Sequence, residues 1–168
     1  MNEGLLVARL VFGVLMAAHG AQKLFGWFGG YGLAAVSGYF DTLGFRPGRF
    51  FAALASVAEV ASGLLVATGL FGPIGPALML SVMIVAAVSA HWRNGVFATS
   101  NGIEVPLLYG AAGAALALTG PGLYSFDAAL GLTSMWTPAA DEFVLAIGLA
   151  GGILNLLARR TVPATVAP

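Results

Sequence analysis

Residues 5–28 form an apolar run long enough to cross a lipid bilayer, and four more such stretches follow: Phe50–Phe71, Ile74–Trp92, Ile103–Thr119 and Phe143–Ala158. A helix rising ~1.5 Å per residue needs about twenty residues to cross ~30 Å of hydrocarbon, so the last two are on the short side. In lipid every backbone N–H and C=O must find a partner within the protein, which makes each run a helix. The alternating segments of about ten residues that mark a membrane barrel are missing. The expected fold is an all-α integral membrane protein. Composition agrees: 8% of the chain is charged, against roughly a quarter in soluble domains.

Seven basic residues balance seven acidic ones. No excess of positive charge is left to neutralise a run of phosphates, which argues against a nucleic-acid partner. The chain has no cysteine, so its own residues supply no thiol nucleophile, disulfide or iron–sulfur ligand. Met1–Gly4 is short and acidic, and the apolar run behind it is too long for the core of a secretion signal. It is expected to remain as the first span.

The links order the spans. "GPIG" (72–75) is short enough to make spans two and three an antiparallel hairpin. "LAAVSGYFDTLGF" (33–45) mixes aromatic, apolar and a few polar residues, which suggests a short interfacial or re-entrant helix before the "RPGR" turn. In the loop 119–142, Tyr124 and Trp136 suit the headgroup level. Thr137–Pro138 with Asp141 and Glu142 reads as the cap and first turn of the last helix. The tail "TVPATVAP" (161–168) is expected to be disordered. With five spans, Arg46, Arg49, Arg93, Arg159 and Arg160 share one side. The positive-inside rule then puts the N-terminus outside and the C-terminus in the cytoplasm of a bacterial-type plasma membrane.

That orientation places His19 and Glu59 at nearly the same depth, with Lys23 one turn further in. His19 and Lys23 are an i, i+4 pair on one helix face, with Arg9 close to the same face further out. Ionisable groups at membrane depth are costly and normally turn inward and pair. Glu59 is therefore expected to pair with His19 or Lys23. His91 and Glu104 approach the same half, joined by the loop "WRNGVFATSNGI". The predicted site is a polar pocket in which His19, Lys23 and Glu59 handle protons or hydrogen-bond a ligand, while Gln22, His91 and Glu104 bind it. Arg9 and Asp127 are expected to form a structural pair, and no metal site is expected. Gly148 and Gly152 make a small-residue face in the last span on which a homo-oligomer is plausible.

Several of these motifs resemble the DoxX-like family of small membrane proteins. They are the arginine and "HGAQKL" of span one, "AEVASGLLVATGL" of span two, and "AHWRNGVFATSNGIEVPLLY" followed by "LTGPGLYSFDAAL". The resemblance covers roughly residues 5–130. It implies a four-helix transmembrane bundle over residues 1–130, to which this chain adds a loop and a fifth transmembrane helix (131–160). The family's His, Gly and Glu pattern falls on His91, Gly95 and Glu104, its mid-span acid on Glu59, and its Gly-Pro-Gly and Asp motif on Gly120, Pro121, Gly122 and Asp127. Leu123 stands where relatives often carry a basic residue, which weakens the pairing of Asp127.

Members of that family are commonly labelled oxidoreductases. One relative is linked to quinone-coupled thiosulfate oxidation, and another is described as a membrane partner of a superoxide dismutase and a sulfurtransferase. The resemblance thus implies an oxidoreductase, or a subunit of one, with a quinone as the candidate ligand. A soluble redox enzyme is the candidate partner. A buried acid beside a histidine suits quinone chemistry, which moves protons with electrons. A haem held between His19 and His91 is disfavoured, because their depths differ by about two helical turns, ~10 Å. No dinucleotide fingerprint is present, so electrons would enter from outside the chain. A small proton-coupled transporter and a scaffold for a soluble enzyme are the alternative readings.

Overall fold

The structure, a computed structural model, describes residues 1–160; the tail 161–168 lies outside them. Seven α-helices are described: α1 (Asn2–Phe25), α2 (Gly32–Thr42), α3 (Gly48–Thr68), α4 (Ile74–Ala86), α5 (Glu104–Thr119), α6 (Phe126–Ala129) and α7 (Pro138–Leu157). A π-helical turn, Ala87–His91, and a tight turn, Trp92–Asn94, extend α4. No strand occurs among the described residues.

Four helical stretches are long and apolar enough to cross a membrane: Asn2–Phe25, Gly48–Thr68, Ile74–Asn94 and Pro138–Leu157. The expected fourth span is α5, which has only 16 residues, about 24 Å at 1.5 Å per residue. The last helix is longer than its apolar core suggests because it begins at the cap. Thr137 accepts a hydrogen bond from the Ala140 amide at 3.3 Å, and Pro138 fills the first position, where no N–H is needed.

Small residues set the packing. α1 and α3 run antiparallel, Gly13 meeting Gly63 and Ala67, and Gly20 meeting Ser56 and Val60. A Cβ on Gly20 would lie 2.7 Å from the Ser56 carbonyl oxygen, so glycine is what lets the two backbones touch. Among the buried residues of α3, Ala52, Ser56, Glu59, Gly63 and Val66 recur at helical spacing and turn Glu59 toward α1. α5 lies antiparallel to α4, with Gly113 on Pro76 and Gly110 on Met83. α7 runs parallel to α4, with Gly148 on Ala77 and Gly152 on Ser81. The Gly148–Gly152 face, expected as an oligomer seam, is thus covered by α4 of the same chain. Met16, Val66, Met79, Met83 and Leu116 form the core between α1, α3, α4 and α5. Phe143, Ile147, Leu154 and Leu157 face outward from α7, where hydrocarbon can solvate them.

The link 33–45 forms α2, whose last turn fastens it to α3: Asp41 Oδ1 accepts the Gly48 amide at 2.9 Å, capping the positive end of α3. The chain after α7 closes on the same corner. The Arg160 amide donates to the Gly44 carbonyl at 2.8 Å, Arg159 Nε to the Leu43 carbonyl at 2.9 Å, and the Arg159 guanidinium sits 5.6 Å from the Phe45 ring centroid.

Candidate functional site

Between α1, α2, α3, α4 and α7 lies a cavity of about 880 Å³. Its walls are largely apolar, with Val36, Phe40 and Phe51 among them, and His19, Gln22, Lys23, Glu59 and His91 all line it. The fold therefore gathers five of the six residues predicted for the pocket.

Glu59 is the centre of this group. Its side chain is 1% exposed, and Oε1 accepts from Lys23 Nζ at 2.6 Å. The partner is Lys23 because antiparallel α1 brings that residue across from Glu59, while the His19 ring one turn away stays exposed to the cavity. Glu59 Oε2 is buried with no hydrogen-bond partner. Gln22 Nε2 donates to the Phe28 carbonyl at 3.1 Å, holding the turn after α1 against the rim.

His91 reaches the cavity from the π turn of α4. Ser89 Oγ donates to the Val85 carbonyl at 2.6 Å, a back-bond that loosens a helix at such a turn. His91 Nδ1 lies 2.8 Å from the Asn101 carbonyl oxygen. A carbonyl only accepts, so Nδ1 carries the proton, and in the neutral ring Nε2 is an acceptor. Asn101 has φ 60, the left-handed conformation asparagine tolerates, and Asn94 Nδ2 donates to the same carbonyl at 3.2 Å.

Glu104 is the predicted pocket residue the fold takes elsewhere. As the first residue of α5 it turns back on the preceding loop, where Oε2 accepts the Ala98 amide at 2.7 Å. It does not line the cavity. The expected Arg9–Asp127 pair is likewise not a direct ion pair, since each charge is met by backbone. Arg9, 3% exposed, donates through Nη1 to the Pro121 carbonyl and through Nη2 to the Tyr124 carbonyl at 2.6 Å. Asp127, fully buried, accepts the Phe71 amide at 2.8 Å, the Gly72 amide at 2.6 Å and Trp136 Nε1 at 2.9 Å. Both bury their charge at the end of the bundle opposite the cavity's polar residues. They tie α1, the α3–α4 turn and the 119–142 loop together.

Sequence reasoning missed Tyr39, Ser81, Ser89 and Asn155, which also line the cavity. Asn155 carried a legible signal, an amide within an otherwise apolar helix. No group of three or more His, Asp or Glu side chains suited to a metal occurs among the described residues.

A model of the DoxX family matches residues 4–92. The chain belongs to the DoxX family. The match takes in α1 to α4, and with them His19, Gln22, Lys23, Glu59 and His91 of this DoxX protein. Glu104 and the Gly120–Asp127 motif lie beyond it. No curated protein and no solved structure matches the chain. The apolar helices and the DoxX domain fit a multi-pass membrane protein.

Proposed function

We propose that this DoxX protein is a redox-associated membrane subunit whose cavity binds a small molecule with a polar head and an apolar body, of the quinone class. The observation that carries the reading is the Lys23–Glu59 pair, its lysine partly exposed, on the wall of a cavity of about 880 Å³. Apolar walls with a few convergent polar groups are the usual make-up of a small-molecule site. The residues present fit such a head: Lys23 keeps N–H donors beyond the one spent on Glu59, and His91 Nε2 is an acceptor. A bound quinone would supply the electron-accepting chemistry. The chain's residues bind and orient it and offer proton-handling groups, and electrons arrive from a soluble redox partner.

The arginines support an orientation. Arg46, Arg49 and Arg93 flank the cavity end of the bundle, as do Arg159 and Arg160. With the basic end inside, the N-terminus faces out, the cavity opens in the cytoplasmic half of a plasma membrane, and the partner docks from the cytoplasm. The self-association expected from sequence needs a face other than Gly148–Gly152.

Native mass spectrometry of the chain extracted from its own membrane in mild detergent tests the reading. A co-purifying mass of the quinone class, lost in a folded Glu59→Gln variant, is the expected result. Retention of that mass in the variant contradicts the site. A bare chain with intact proton-dependent solute flux in vesicles contradicts the function in favour of transport.

A further inference from the structure

Four arginines that take no part in the cavity gather where the end of α7 meets the turn before α3. The Arg160 amide donates to the Gly44 carbonyl at 2.8 Å, and a side chain on Gly44 would run into the Arg160 carbonyl. The two backbones therefore touch, with Arg159 and Arg160 on one side of the contact. On the other, Arg46 is two residues from Gly44, a reach of at most ~7 Å, and Arg49 lies in the first turn of α3. All four arginines are exposed.

No described residue neutralises this corner. Among the described residues, no ion pair joins any of the four to an acid. Asp41, the acid nearest in sequence, is committed to the start of α3: its Oδ1 accepts the Gly48 amide at 2.9 Å, and its Oδ2 lies 2.6 Å from where a Gly48 Cβ would stand. Residues 161–168 add no acidic side chain. Like charges held together without a counter-charge repel, and an anion among them removes that cost. One of the four is also held in place. Arg159 spends Nε on the Leu43 carbonyl at 2.9 Å, and its guanidinium sits 5.6 Å from the centroid of the buried Phe45 ring. Its two Nη groups keep their N–H donors in one plane, the fork that matches the oxygens of a phosphate.

The same corner turns apolar within two residues. Phe50 follows Arg49 on α3, Leu154 and Leu157 precede Arg159 on α7, and all three are exposed at the ends of membrane-capable helices. A free phosphate would use the arginines alone. A lipid uses both parts, its acyl chains lying on the apolar side chains and its phosphate on the guanidinium groups. We infer that this corner is a binding site for the phosphate headgroup of an anionic phospholipid. The inference is independent of what occupies the cavity. No bond is made or broken, and the phosphate replaces water on the arginines.

Native mass spectrometry of the full chain in mild detergent, titrated with dioleoyl phosphatidylglycerol or with dioleoyl phosphatidylcholine, compares an anionic with a neutral headgroup on the same acyl chains. The expected result is one saturable site that prefers phosphatidylglycerol at least about tenfold, since each arginine near the surface adds to the attraction. Arg159→Gln should cut that preference at least about threefold. Arg93→Gln makes the same change of charge on the turn after α4 and should leave the preference unchanged. Equal affinity for the two lipids overturns the inference, and so does an equal loss in both variants, which would make the effect one of diffuse basic charge. Excess glycerol 3-phosphate, a headgroup without chains, should fail to displace the lipid; full displacement overturns the lipid as occupant. Should Arg159→Gln fail to assemble, Arg159→Lys keeps the charge without the fork and decides in its place: a reduced preference supports the inference and an unchanged one overturns it.

Discussion

Two buried charged clusters sit at opposite ends of this bundle, and they are finished differently. At one end the carboxylate of Asp127 takes two backbone amides and an indole N–H, and Arg9 takes two backbone carbonyls. At the other, Lys23 and Glu59 hold each other, but Oε2 of Glu59 has no partner and a large cavity lies alongside. Arg9 Nε also lacks a partner, yet the void beside Arg9 is only about 10 Å³, room for at most one water. A charge closed by the chain's own backbone is a fastener. On the function proposed above, a charged pair on the wall of a cavity is a binding group.

The sharpest way to break this contrast is at the closed end. Asp127→Ala strands the amides of Phe71 and Gly72 and the Trp136 indole and leaves Arg9 without a nearby opposite charge. It should cost about 3–5 kcal/mol and prevent stable assembly, read as lost yield and lost resistance to SDS unfolding. Assembly at wild-type yield would show that the cluster is not what joins the loops.

The seam that sets the two clusters in register comes next. Gly20→Val forces α1 from α3, and overpacking of this kind should cost about 1–3 kcal/mol. Because the Lys23–Glu59 contact lies one turn further along the same seam, ligand affinity should fall with stability. A variant that is destabilised but binds normally would uncouple seam from site.

At the open end a double-mutant cycle with Lys23→Met and Glu59→Gln should return a coupling of about 0.5–3 kcal/mol in stability, with ligand binding lost in every variant carrying Glu59→Gln. A coupling near zero would mean that the pair contributes no more than a screened surface contact. The smallest expected effect belongs to Trp136→Phe, which removes one of three donors to Asp127 at a cost of about 1 kcal/mol and leaves ligand binding unchanged.

The open cluster was more legible in sequence than the closed one. His19, Gln22 and Lys23 are polar residues on one face of an apolar helix, and Glu59 is a lone acid within another. Lipid leaves such groups one direction to face, so their convergence follows from helical periodicity. The closed cluster depends on backbone groups exposed by turns, such as Gly72 at φ 49, and side-chain identity does not announce which amides a turn will present. The misplacement of Glu104 has a similar origin: at a helix start a carboxylate answers the nearest free N–H rather than a distant pocket. The apolar wall supplied by α2 was hidden because an interfacial helix has no length rule to fix which face turns inward. Helix count was blurred where a run's length sat near the bilayer limit. The cap at Thr137 lengthened α7, while the glycine after Thr119 stopped α5 short.

The absence of native cysteine allows the most direct test of an open site. Ser89→Cys places a single thiol on the cavity wall, and Ser62→Cys places one at a fully buried position of α3. With a small thiol reagent, the account predicts that Ser89→Cys reacts readily and that saturating duroquinone slows it at least about tenfold, while Ser62→Cys stays inert. Reaction at Ser89→Cys no faster than at Ser62→Cys, or unaffected by the ligand, would contradict the claim that the Lys23–Glu59 cluster borders a ligand-binding cavity.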